Sequence, residues 1–209
     1  MPRDMALECR CGRVRAVAQV SPRSVIHLIC YCDDCQAFAR QLERPDVLDA
    51  AGGTAVCHVA PARMRITQGE DAIRCLRLSE KGMHRFYSEC CRTPIASTLS
   101  GRLPFMSLSL AFAAPSSAAQ RESLLGAPTG IMARFAVGEV PSYAHAKAPL
   151  GLIVRIFAHV LGFWVSGEGQ PHPLFDARGA PRAKPYVLTA SERDALRPPA
   201  SGPAPTVAD

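Results

Sequence analysis

Apolar residues alternate along the chain from Gly12 onward: Val14, Ala16, Ala18 and Val20 fall on one side, and Ser-Pro-Arg-Ser ends the run. Period two is the mark of a half-buried strand. The run VIHLIC at 25–30 is short and rich in β-formers, and reads as a second strand. CDDCQAFARQLE at 32–43 predicts a turn and a short helix, AAGGT at 50–54 a turn, and AVCHV at 55–59 another strand. Two strands are expected around the Gly69-Glu70-Asp71 turn within 63–79. MHRFY leads into Ser-Glu-Cys-Cys, and FMSLSLAF at 105–112 alternates again. Many short strands at close spacing, with almost no helical period, predict a mainly β domain over residues 1–113 with cysteines in its turns.

The pattern changes after residue 113. SSAAQRESLLG reads as a short helix. PLGLIVRIFAHVLGFWV places Leu152, Ile153, Ile156, Phe157, Val160, Leu161 and Trp164 on one helical face. The run is short for a bilayer and is interrupted by Arg155 and His159, so the expectation is an amphipathic helix that packs on the β domain, with no membrane span. Thr189 stands three residues before Glu192, the spacing of a capping box. Residues 114–197 therefore read as a helical extension, and the Pro- and Ala-rich 198–209 as a disordered tail.

Charge adds little. The net charge is +6, but the basic residues are 21 Arg against 3 Lys, scattered and with few aromatics among them. They predict a mildly basic surface and no nucleic-acid partner. The first residues hold no apolar stretch of signal-peptide length, so the reading is cytoplasmic, where thiols stay reduced.

Cysteine changes the picture most. There are nine, an odd number, and seven of them cluster: Cys9 and Cys11; Cys30, Cys32 and Cys35; Cys90 and Cys91. Residues i and i+2 of an extended chain point the same way, and a Cys-x-x-Cys turn can grip one ion. Thiolates that converge in this manner suit tetrahedral zinc; four ligands close a structural site, whereas three leave a position open. A redox pair at Cys32 and Cys35 is the competing reading, though no βαβ pattern surrounds it. Cys57 and Cys75 sit alone in strand patterns and read as core thiols. His27 and His159 read as structural.

Cys9-x-Cys11-Gly, then Cys30-x-Cys32-x-x-Cys35, then Cys91-x-Thr93-Pro94 resemble the motifs of the glutathione-dependent formaldehyde-activating enzyme family, which also includes the centromere protein V-like domains. The resemblance spans roughly residues 7 to 112. It implies an Mss4-like β-tent fold and up to two zinc ions per chain. One is structural and joins the first and last motifs; the other, catalytic, sits on Cys30, Cys32 and Cys35. It also implies carbon–sulfur lyase chemistry, in which glutathione and formaldehyde are joined as S-hydroxymethylglutathione. Two motifs depart from the family pattern. Ser88 and Arg92 stand where the last motif has a cysteine and a glycine, while Tyr31 and Gln36 stand where the middle motif has His and Arg. Cys90 is expected to replace the thiol missing at 88, giving Cys9, Cys11, Cys90 and Cys91 as one site. Adjacent residues of a strand face opposite ways, so this requires a backbone turn at the pair.

The functional expectation is a zinc-dependent lyase acting on thiol–aldehyde adducts, with glutathione as the small-molecule partner. The alternative is a non-catalytic, zinc-folded module that binds protein or nucleic acid.

Overall fold

The computed structural model describes residues 2–197; the expected tail at 198–209 lies outside them. The chain is mainly β, with a C-terminal helical extension. Strands β1 (Arg3–Glu8), β2 (Arg15–Val20) and β5 (Met64–Gln68) form an antiparallel three-stranded sheet in the order β1-β2-β5. The larger sheet takes β3 (Ile26–Cys30), β4 (Thr54–Val59), β6 (Ile73–Arg77), β7 (His84–Ser88), β8 (Pro94–Thr98), β9 (Met106–Ser109), β10 (Thr129–Ile131) and β11 (Pro185–Val187), in the order β10-β3-β4-β9-β8-β7-β6-β11. Its inner pairs are antiparallel; β10 and β11 add parallel edges. The extension thus contributes strands to both edges of the main sheet.

The alternation in the sequence assigns the two faces. Met5, Leu7, Ala16, Ala18, Val20 and Met64 of the small sheet meet Cys57, Val59, Phe86, Ile95, Met106 and Leu108 of the large one in the main core. Cys57 and Cys75 lie in that core, where burial pushes both thiols up to about 12, so they stay protonated and inert as expected of core residues. The strands expected around Gly69 form but do not pair with each other: β5 joins β2 and β6 joins β7. Local pattern marks a strand, whereas its partner is chosen by long-range packing.

The opposite face of the large sheet carries two helices. Helix α1 (Asp33–Gln41) packs Ala37 and Phe38 against Leu76, Leu78 and Leu188. The short α2 (Ala118–Leu125) has a capping box from Ser117 and Gln120, and α4 (Ala190–Ala195) has the expected one from Thr189 and Glu192. Helix α3 (Leu150–Val165) packs Leu152 and Ile156 on Ile26, Leu28 and Val56. The face expected to dock is divided. Leu152, Ile156 and Val160 turn inward with Phe163, whereas Ile153, Phe157, Leu161 and Trp164 turn to solvent. Seven apolar positions span too wide an arc for one contact, and the sheet covers only part of it. No helix among the described residues is long and apolar enough to cross a membrane.

Candidate metal centres

The seven clustered cysteines form two groups, and within each group the sulfurs lie within 4.8 Å of one another. All are free thiols. Both groups could hold a metal ion, because soft thiolates set close together repel unless a cation or protons stand between them.

The outer group joins two turns. Cys9 and Cys11 lie between β1 and β2, and Cys90 and Cys91 between β7 and β8. Sulfur separations are 3.6 Å for Cys9–Cys11, 3.7 Å for Cys9–Cys90, 3.2 Å for Cys11–Cys90 and 3.9 Å for Cys90–Cys91. Each turn bends through a left-handed residue, Gly12 at φ +74° and Arg92 at φ +54°. Glycine adopts this conformation freely; Arg92 does so at a cost of roughly 1–2 kcal/mol. The bend lets adjacent Cys90 and Cys91 face one point, as the expected four-cysteine site requires. Ser88 has a different task. Its hydroxyl accepts from the Thr93 N–H at 3.0 Å and lies 3.4 Å from the Cys91 sulfur, so it braces the turn. The Val14 N–H donates to the Cys9 sulfur at 3.2 Å. Buried Arg44 donates to the Cys91 carbonyl and the Thr93 hydroxyl. Burial, then Cys11 and Cys9, push the Cys90 thiol up to about 12. Burial opposes ionisation of Cys91 too, but hydrogen bonds from Ser88 and Thr93 bring it down to about 6.

The middle group sits where β3 runs into α1. Cys30 ends the strand. Cys32 is the N-cap of α1, and its sulfur accepts from the Cys35 N–H. A thiolate there gains from the helix dipole. Tyr31, between them, points the other way: it is fully buried, and its hydroxyl donates to Asp49 at 3.1 Å. Gln36 is also fully buried and donates to the carbonyls of Tyr31 and Phe135. Tyr31 and Gln36 therefore direct their polar atoms to Asp49 and to backbone carbonyls. Hydrogen bonds with Cys30 and then Cys35, followed by burial, hold the Cys32 thiol far above its ordinary range. Hydrogen bonds from Cys30 and Cys32 hold Cys35 well below its own; burial opposes them and the Arg85 charge assists. The hydrogen bonds among the three sulfurs thus favour ionisation at Cys35 and oppose it at Cys32.

This group opens onto a cavity of about 300 Å³ whose lining includes no cysteine of the outer group. The cavity lies beside the start of α1, on the face of the large sheet away from the small one. Leu28 and Cys30 of β3, Thr54, Val56 and His58 of β4, and Ser107 and Ser109 of β9 line it. Each set is spaced by two, the period of one strand face. Ladder register sets Thr54 directly across from Cys30 and His58 across from Ser107. Arg85, 4% exposed, reaches in from β7, 3.6 Å from Asp34 and with its guanidinium 5.4 Å from the centre of the Phe38 ring. Arg85, Thr54 and His58 carry no motif in the sequence; Arg85's one signal is a charge at an inward strand position. His27 is structural, its Nδ1 2.8 Å from the Gly126 carbonyl.

No curated protein matches the sequence. A family profile described as "Family of unknown function (DUF6151)" matches residues 1–185, a span that takes in both thiol groups, the cavity and α3. By that match the chain belongs to the DUF6151 family.

Proposed function

We propose that the chain is a zinc protein that makes and breaks carbon–sulfur bonds in thiol–aldehyde adducts at Cys30, Cys32 and Cys35, and that it diverged from the formaldehyde-activating enzymes. One observation carries this reading: the three-thiol group faces a cavity, whereas the four-thiol group is closed by its own protein ligands. That is the division between catalytic and structural zinc. Sulfurs at tetrahedral corners about 2.3 Å from zinc lie about 3.8 Å apart. The separations of 3.6, 3.7 and 3.9 Å in the outer group are close to that spacing, and the 3.2 Å pair is tighter. An all-sulfur donor set favours zinc over magnesium or calcium.

Bound zinc would supply a Lewis acid and a coordination position that favours a substrate's thiolate. The chain's own residues do the rest. Cys30, Cys32 and Cys35 hold the ion. Three thiolates and a divalent cation leave one net negative charge, which Arg85 offsets from beside Cys35. Phe38 and Met83 add apolar lining, and Phe105 does so beside His58. In the forward direction the substrate sulfur bonds to the aldehyde carbon, the carbonyl π pair moves to oxygen, and the thiol proton ends on that oxygen. The reverse releases thiol and aldehyde.

The test is exchange spectroscopy of formaldehyde with a thiol panel, glutathione included, in the presence of metal-loaded protein. Accelerated hemithioacetal exchange that disappears in Cys32→Ser supports the reading. No acceleration with any thiol, in protein shown to carry both metals, removes it.

A further inference from the structure

We infer that the cavity at the middle centre selects an uncharged, largely apolar thiol or aldehyde, read by Thr54 at its reacting end and His58 at its far end. This rests on the function proposed above and adds the substrate class. The walls are Leu28, Val56, Phe38, Phe105, Ile131 and Met83, interrupted by the hydroxyls of Ser97, Ser107 and Ser109. The charged lining residues are Asp34 and Arg85, and they are occupied with each other, with Cys35 and with the Phe38 ring. A ligand carboxylate finds no free cation there among the described residues. Two polar atoms of the lining are buried without a partner, Thr54 Oγ1 and His58 Nδ1. Burial holds His58 down to about 4, so near neutrality it offers a neutral donor or acceptor and no charge. Orphaned buried polar atoms are costly, and a ligand that pairs them gains specificity. Thr54 stands across from Cys30. His58 is four residues along the same strand, roughly 13 Å away, with Val56 between. The fitting molecule therefore has its sulfur or carbonyl at one end, an apolar body of several carbons over Val56, and a neutral hydrogen-bonding group at the other.

The experiment uses full-length protein loaded with cobalt, whose thiolate charge-transfer bands report a new sulfur ligand. The probes are 6-mercaptohexanol, 6-mercaptohexanoate and glutathione, titrated by absorbance and calorimetry. Mercaptohexanol is expected to bind about tenfold or more tighter than either charged thiol. Thr54→Val and His58→Phe should each weaken it about five- to tenfold, with the cobalt spectrum of the free protein unchanged. If mercaptohexanoate or glutathione binds as well as mercaptohexanol, or both variants leave the ranking intact, the selection is wrong while thiol binding at the metal stands. If no thiol alters the spectrum, the proposed function falls and this inference with it.

A separate observation concerns α3. Leu150, Val154, Phe157, Leu161 and Trp164 are each at least 59% exposed. Their spacing alternates four and three, the seam of a helix pair. The geometry points to a second copy of this chain as the occupant. The stripe presents on the order of 800 Å², what one partner of a standard interface buries. A bilayer-seeking helix carries a rim of Lys and Arg. Here the one Arg of the helix, Arg155, is turned to the carbonyls of Pro22 and Val25. Sedimentation across micromolar concentrations should show a species of twice the chain mass, reduced to monomer by Phe157→Glu and by Leu161→Glu with the far-ultraviolet spectrum unchanged. A monomer at every concentration overturns the pairing, as does a dimer that both variants leave intact. Co-sedimentation of monomer with phosphatidylserine vesicles would assign the stripe to lipid and overturn it too.

Discussion

Arg92 is the residue at which one side chain most clearly bears the cost of the site. It holds a left-handed conformation beside the thiols, and its guanidinium pairs with Glu43, itself left-handed. Exposed pairs contribute about 0–1 kcal/mol, less than the strain that glycine would relieve. Arg92→Gly is therefore expected to raise unfolding stability by up to about 1 kcal/mol in urea titrations, with metal content unchanged. Cys90→Ala and Cys91→Ala should each release the outer metal, read as stoichiometry by native mass spectrometry. Retention at full affinity in Cys90→Ala would contradict the four-sulfur site. His172 governs a pH response. Burial, then Arg182, lower it to about 4 from about 6.5, and its Nε2 is buried without a partner. The unfolded state takes up a proton between those values and the folded state does not. Stability from neutral His172 is complete above pH 6.5 and drains away as pH falls toward 4. Subtracting the stability curve of His172→Asn from that of the parent isolates this loss from metal release, and a flat difference curve would refute it.

Elements place the chemistry. Helix α1 is capped by Cys32, so one residue is both cap and candidate ligand, and Cys35 follows in the first turn. Helix α3 packs Leu152 and Ile156 on Leu28 and Val56, two strand residues that line the cavity. Leu152→Ala should cost about 2–3 kcal/mol and loosen ligand binding, while Val165→Ala, exposed and outside the five-residue stripe, should stay within about 0.5 kcal/mol. Equal effects in denaturant titrations would mean that the docked face is wrongly assigned. The helix itself is plain in the sequence from its apolar period. Which half of that apolar arc packs is not, because Leu152 and Leu161 differ only in what the sheet brings near them.

At the scale of the whole molecule, the outer thiols staple the small sheet to the large one. Cys9 and Cys11 come from the β1–β2 turn, and Cys90 and Cys91 from the β7–β8 turn. Binding energy at such a site is folding energy. A chelator is expected to strip the open three-thiol site first. Loss of the outer metal, or Cys11→Ser, should then lower the thermal midpoint of the entire β core in one transition. Two separate transitions on calorimetry would show that the sheets do not depend on that staple.

The sequence alone determined what local physics dictates: strands from period two at Val14–Val20 and 105–112, a helix from the apolar run at 150–165, and two capping boxes, of which Thr189 to Glu192 was readable directly. It also marked all seven clustered thiols, because cysteine is scarce and its spacing tells. Tertiary structure decided the rest. Strand partners depend on packing between distant segments, so β5 and β6 joined different sheets although only four residues separate them. The left-handed turn at Arg92, which aims Cys90 and Cys91 at one point, follows from the fold, since arginine gives no sign of it. Thr54, His58 and Arg85 are ordinary polar residues in strand patterns. They share one cavity with the middle thiols only because ladder register sets Thr54 against Cys30 and brings residues of six strands to its walls.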